Sequence, residues 1–425
     1  RDRSISGSRS VRFRTEIGRT PHRDRHLPQH RPVDNRLRPC RAPQLSTGAC
    51  RHLANCCVIG HCRCMSPKTC PTPRIPQDQR NPREIESRLA TGEIRRVRRS
   101  TYIPASPDAP DFTTHRTIRE VLLRVVRTER LDGVVALETA ALLHGGRALY
   151  EPAAVHLIVG WNAAGLRRAS RRRPPNRPAS RALGPRDRRR ALGSRPFIRH
   201  RYELAGSDIV ELEGLRVTSL ERTAEDCARF LPPNRALAVV DSLFAIAAGA
   251  GDRPWDHRPE IDAEAARFRR ALIKRLDARP HERGVRRARA VVMAATPWSQ
   301  SVWETEARRL CLIGGITAPQ PQMPVLTGIG TFYADLGWRV LMLVYEIDGE
   351  IKYLEDGDAV LAAQYRRQAA MEDAGAHVER ATPAQVADGE AFLDRLRQVL
   401  PPTLCEERPI AALRTPSEIR RHAER

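Results

Sequence analysis

The chain has 425 residues, of which 41% are hydrophobic, and a formal net charge of +23. That is long enough for two or three domains and apolar enough for globular cores, which excludes a wholly disordered chain. No window holds about 18 uninterrupted apolar residues, which excludes a membrane-spanning helix, and no apolar leader precedes the cysteine-rich stretch, so a cytoplasmic, reducing location is expected.

The charge is concentrated. Residues 1–80 carry a net +12 and residues 161–201 a net +13, leaving about −2 for the rest. The high isoelectric point therefore does not by itself establish a DNA-binding face. Residues 1–80 are rich in Arg, Pro, His and Cys and lack any apolar period, so a disordered basic tail is expected. Their first residue is Arg and the first Met is Met65, so a mis-called start is the other reading of this stretch. Seven of the ten cysteines fall between Cys40 and Cys70. Their irregular spacing argues against a zinc site with His61, since such ligands usually come as two clean pairs.

Over 82–104 the chain reads as part of a winged helix. Pro82 opens a helix, Ile85 and Leu89 mark its apolar face, and Gly92 ends it. Ile94, Val97, Tyr102 and Ile103 then suggest a hairpin bearing Arg95, Arg96, Arg98 and Arg99. Wing arginines of this kind neutralise phosphates, and a solvated basic turn is the alternative. In the region 113–250, residues 115–145 read as helical, with Ile118, Val121, Leu122 and Val125 on one face. His144 reads as a helix-end residue rather than a ligand. Val155–Val159 reads as a strand, and 161–201 as an exposed, disordered Arg-rich insertion. A hairpin is expected around Glu213-Gly214, followed by helices ending at Phe230 and running from Asn234 to about Ala247. Residues 262–295 form an Arg-rich helical connector.

The chemistry-bearing stretch is 296–400. Ser301-Val302-Trp303-Glu304 has the form of a capping box opening a helix. Two strands are expected next, Thr331–Leu336 and the nearly continuous apolar run Val340–Asp348, with a turn near Gly337. A central strand buried on both faces has little reason to end in carboxylates, and a period of two sets Glu346 and Asp348 on one side, with Asp335 on the neighbouring strand. Converging carboxylates repel one another unless a cation sits among them, and an all-oxygen set favours Mg²⁺ or Mn²⁺. Such an ion, held by carboxylates with a nearby Lys352, is equipment for phosphodiester hydrolysis. Beyond it a helix carries Tyr365, Arg366 and Arg367, whose basic side offers phosphate contacts or simply a solvated face. His377–Arg380 lies in a further strand, Pro383–Leu400 is a closing helix, and 401–425 is a tail.

The run Ser301-x-x-Glu304-Thr-Glu-Ala-Arg308, with Asp335 and Glu346-Ile-Asp348-Gly349-Glu-Ile-Lys352-Tyr353, resembles the very-short-patch-repair-like endonuclease domain of the PD-(D/E)xK superfamily over about 100 residues. The resemblance implies Asp335 and Glu346 as metal ligands, with Asp348 and Glu304 as supporting carboxylates. It departs where the signature places Lys two residues after the Glu; Asp348 stands there, and Lys352 is the candidate substitute. Upstream, Arg88–Tyr102, Leu137–Gly145 and Gly214–Thr223 resemble the type IV abortive-infection antitoxin-like transcriptional regulators, which begin with a winged helix and are often fused to that nuclease-like domain.

The fold class expected is thus α/β (α+β), with a partial winged helix, a helical middle region and a restriction-endonuclease-like mixed sheet flanked by helices. The function expected is Mg²⁺- or Mn²⁺-dependent DNA cleavage. The alternatives are a DNA-binding regulator or antitoxin with a cognate toxin and an inactive nuclease fold, and a degraded product with neither activity.

Overall fold

The computed structural model describes residues 81–98, 100–105, 110–160, 196–347 and 357–424, all within one compact unit running from Pro71 to Arg425. The basic tail over 1–80, Arg99, residues 161–195 of the insertion, Asp348 and Lys352 lie outside the described residues.

The first described element is helix α1 (Pro82–Ala90), capped by the Asn81 side chain accepting from the Arg83 N–H at 3.0 Å. Strands β1 (Ile94–Arg98) and β2 (Thr101–Pro104) follow as an antiparallel hairpin. The helix buries no residue. The hairpin does: Val97 and Ile103 pack on Ile118 and Leu122 of α2 (Asp111–Thr128). The two parts of the expected helix-and-wing pair therefore differ: the hairpin buries its apolar residues, and the helix leaves Ile85 and Leu89 half-buried.

A five-stranded sheet comes next. Its strands are β3 (Val134–Ala136), β4 (Val155–Val159), β5 (Phe197–Arg201), β6 (Ile209–Leu212) and β7 (Leu215–Thr218), in the order β5-β4-β3-β7-β6. Two expectations are corrected here. The helical reading of 115–145 is broken by β3, the central strand, which precedes the short helix α3 (Leu137–Leu143). Val134–Ala136 pair antiparallel with β4, and Val135 pairs in parallel with Val217; ladder bonds on both edges outweigh a three-residue local preference. The insertion read as disordered over 161–201 ends in β5, because Phe197–Arg201 pair residue for residue with Val155–Val159. The β6–β7 turn follows the sequence closely. Glu213 and Gly214 both take left-handed backbone, at φ +51° and +70°, as a two-residue turn matched to strand twist requires.

Helices α4 (Leu220–Phe230), α5 (Pro233–Ala247), α6 (Arg258–Asp277) and α7 (Val285–Ala294) form the next layer. Gly284, just before α7, is needed as glycine: its φ is +85°, and a Cβ there would lie 2.4 Å from the Arg229 carbonyl oxygen.

After α8 (Val302–Gly314) comes a four-stranded sheet. Strands β8 (Gln320–Thr327), β9 (Gly330–Trp338) and β10 (Leu343–Ile347) form an antiparallel meander. Helix α9 (Gly357–Asp373) then leads to β11 (His377–Ala381), parallel to β10, which gives the order β11-β10-β9-β8. Strand β8 has no counterpart among the expected elements; its Pro321 and Pro324 are tolerated because β8 is the sheet's edge. The expected strand over 340–348 begins later. Val340 is 92% exposed, a 3₁₀ turn occupies Arg339–Leu341, and Met342 has φ +48°. The reversal thus falls there, and Gly337 lies inside β9.

The expected closing helix is divided at Asp388 into α10 (Pro383–Ala387) and α11 (Gly389–Val399). The residues expected as a tail are packed: Leu413 is fully buried, and Glu418 of α12 (Pro416–Ala423) meets the buried Arg309 at 2.7 Å. One apolar core runs from Val134 through α5 and α8 to Leu413, so the C-terminal sheet and the helical layer share their interior.

Candidate functional site

Helix α8 opens as its sequence suggests, with the Ser301 hydroxyl accepting from the Glu304 N–H at 3.1 Å. The reciprocal half of a capping box is different. The Glu304 carboxylate accepts from the Gln300 N–H at 2.8 Å, one residue further out than a closed box requires. Glu304 is only 4% exposed. Burial and then the negative charge of Asp335 push its carboxyl up to about 8, against the hydrogen bonds from Gln300 and Ser301 and the charge of Arg147. A buried carboxylate at a helix start and a half-buried one on a neighbouring strand thus feel each other's charge.

Asp335 lies on β9. Its Oδ2 accepts from the backbone N–H of Ile347 at 2.9 Å, just beyond the last ladder pair, Leu336 with Tyr345. That bond sets the carboxylate beside the C-terminal end of β10, where Glu346 sits. Glu346 is also 4% exposed, and its Oε1 accepts from the Arg367 guanidinium at 3.0 Å. The same Arg367 nitrogen donates to the Tyr333 carbonyl at 2.7 Å. The structure therefore brings Glu304 and Asp335 together and holds Glu346 on the adjacent strand, in an ion pair with α9. Asp348 and Lys352 lie outside the described residues. Among the described residues, no three His, Cys, Asp or Glu side chains gather closely enough to share a metal ion.

Several residues around this site carry no local sequence signal. The Arg147 guanidinium, from the loop after α3, donates to the Ser299 carbonyl at 2.7 Å, immediately before Gln300. Asp241 of α5, fully buried, accepts from the Thr296 N–H at 2.9 Å, the Thr305 hydroxyl at 2.8 Å and Arg308 at 2.7 Å. The start of α8, and Glu304 with it, is thereby bolted to the helical layer. Arg367, expected only as part of a basic helix side, turns inward to Glu346.

The upstream residues have their own arrangement. Arg95 and Arg96 are exposed on β1, while Arg98 is paired with Glu129 at 2.9 Å. His144 is the residue that closes α3, and its Nε2 lies 2.7 Å from the Thr218 carbonyl oxygen, so that nitrogen must carry the proton. Arg222 is buried and joins Asp226 at 2.9 Å and Asp208 at 3.1 Å. Thr223 lies 2.6 Å, hydroxyl to hydroxyl, from Thr218. These motif residues hold the interior of the upstream body together. Among the described residues, no helix is long and apolar enough to cross a membrane. Comparison with family models, with curated proteins and with solved structures returns no match.

Proposed function

We propose that the region around Glu304, Asp335 and Glu346 hydrolyses DNA phosphodiesters with a hard divalent cation, Mg²⁺ or Mn²⁺. The observation that carries this reading is the burial of Glu304 beside the charge of Asp335, which rides on an inner strand of a mixed sheet. A carboxyl withdrawn from water beside a like charge takes up a proton unless a cation is supplied. The residues fit such a cation in donor chemistry, being all oxygen. Asp335 and Glu304 would hold it, with Glu346 joining if Arg367 gives way.

When bound, a divalent ion of this kind activates a water and offsets charge on the phosphoryl oxygens. The chain's own part is positional. The Ile347 N–H fixes the Asp335 carboxylate, the Gln300 N–H fixes that of Glu304, and Arg367 lies where it can shift from Glu346 towards an incoming phosphate. Hydrolysis joins a water oxygen to phosphorus and breaks one P–O ester bond, with the water's proton passing to solvent and the leaving oxygen taking one up.

A second reading is supported by a separate observation. The start of α8 is tied to α5 through Asp241, and the core is continuous between them. That suits a DNA-binding regulator whose nuclease-like sheet serves as scaffold, with Arg95 and Arg96 as phosphate contacts. Cleavage of plasmid DNA by the full chain with Mg²⁺, Mn²⁺ or EDTA, together with melting curves in the same buffers, separates the two readings. The nuclease reading expects metal-dependent nicking, a metal-dependent rise in melting temperature, and loss of both in Asp335→Asn. No metal effect of either kind in the wild type leaves the regulator.

A further inference from the structure

Strand β8 contains an irregularity directly across from Asp335. The β8–β9 ladder pairs Pro321 with Leu336 and Met323 with Ala334, so Gln322 and Asp335 stand opposite each other between those pairs. Gln322 has φ +48°, a left-handed conformation that a non-glycine residue in the middle of a strand adopts only under constraint. Its carbonyl is held by the Arg258 guanidinium at 2.8 Å. Its side chain is carried into the interior, at 2% exposed, and its Nε2 has no hydrogen-bond partner among the described residues.

The position thus combines two unfavourable features, strained backbone and a buried amide donor with nothing to donate to. Either alone is uncommon in a native fold. Their coincidence across from the Asp335 carboxylate is the pattern of a group kept for a ligand. The chemistry of the donor narrows that ligand. An amide NH₂ brings no charge, so it neither neutralises Asp335 and Glu304 nor competes with a cation for them, as a Lys or Arg in the same place would. It suits an anionic oxygen that arrives with a counter-ion beside it.

Resting on the nuclease reading above, we propose that Gln322 holds the substrate, its Nε2 donating to a non-bridging oxygen of the phosphodiester at the Asp335 carboxylate. The backbone kink and its Arg258 brace exist to present that donor. Gln322 is then a substrate contact that no local pattern in the sequence marks.

The test uses the full chain and Gln322→Met, which keeps length and flexibility but removes the donor. The readouts are the Mg²⁺-dependent melting shift, the affinity for a fluorescent DNA duplex in Ca²⁺, and the cleavage rate in Mg²⁺. The expected result is an unchanged or raised metal-free melting temperature, because an orphan donor is gone, and a preserved Mg²⁺ shift. Duplex affinity in Ca²⁺ should fall about tenfold and cleavage about 10²-fold. Wild-type affinity and cleavage in the variant overturn the proposal. So does a lowered metal-free melting temperature with wild-type activity in the folded fraction, which would mark a structural amide. Failure of the nuclease reading shows instead in the wild type, as no metal shift and no metal-dependent binding or cleavage, and the proposal falls with it.

Discussion

Two regions of this molecule bury carboxylates, and they surround them differently. In the helical layer each acid is answered by guanidinium. Asp208 meets Arg222 at 3.1 Å and Arg275 at 2.8 Å, and Glu225 meets Arg229, Arg275 and Arg279 within 3.1 Å. Burial would raise the Asp208 carboxyl, but the bonds and charges of Arg275 and Arg222 outweigh it and hold it below its ordinary value. At the start of α8, Glu304 has a backbone N–H and another acid for company, with no guanidinium in ion-pair contact among the described residues, and it is pushed up to about 8. A neutralised cluster reads as architecture. At the start of α8 burial and a like charge act together on Glu304.

The largest effects should come from breaking the first cluster. Arg222→Met leaves Asp226 buried without its partner and Asp208 short of one, and should lower stability by about 3–5 kcal/mol in urea denaturation. Glu304→Gln should have the opposite sign, raising metal-free stability by on the order of 1 kcal/mol near pH 8, because it removes a repelling charge and keeps the Gln300 bond. If both variants destabilise alike, the distinction between the regions fails.

pH should sharpen the contrast. A carboxyl raised on folding binds its proton more tightly in the native state, so the Glu304 contribution weakens the fold as pH climbs from about 4.5 to about 8. His156 of β4 works the other way. Burial, then the neighbouring His200 at 2.9 Å and Arg235, lower it from 6.5 to about 4. The unfolded chain then binds the extra proton between those values, and stability falls as pH drops from about 6.5 to about 4. Each slope is at most about 1.4 kcal/mol per pH unit. Glu304→Gln should flatten the first and His156→Gln the second in denaturation series across pH. A wild-type slope retained in either variant would remove that residue from the account.

The smallest effect concerns the wing. Arg95 and Arg96 are exposed, whereas Arg98 is engaged by Glu129. Replacing the first two with Ala should reduce the salt dependence of DNA binding by about 0.9 in the log–log slope for each phosphate no longer neutralised. Arg98→Ala should change that slope less. Equal changes, measured by anisotropy at several salt concentrations, would mean that the Glu129 pair opens on binding.

Much of the fold was legible wherever the controlling contacts are local. The β6–β7 hairpin follows from Glu213-Gly214, the start of α8 from Ser301, and strand β4 from its apolar run, since turns, caps and short periodic segments depend on residues a few positions apart. The placing of Glu346 near the end of an apolar strand, with Asp335 on its neighbour, was legible too, because an apolar strand ending in an acid is conspicuous by itself. Strand β8 was not, because Pro321 and Pro324 speak against a strand until the sheet's edge is known. Nor was β3, three residues long, whose identity comes from its two ladder partners.

What tertiary structure alone decided is which acceptor each buried guanidinium meets. Arg308 and Asp241 are 67 residues apart, Arg309 and Glu418 are 109 apart, and Arg147 and Ser299 are 152 apart. The sequence by itself determined that acids and arginines would be present, and on which elements they would ride. An ion pair depends on separations of about 3–4 Å, and distances of that size between remote positions are set only when the elements pack. That packing is what surrounded the upstream acids with arginine, left Glu304 beside Asp335, and turned Gln322 towards the interior with its amide unmatched.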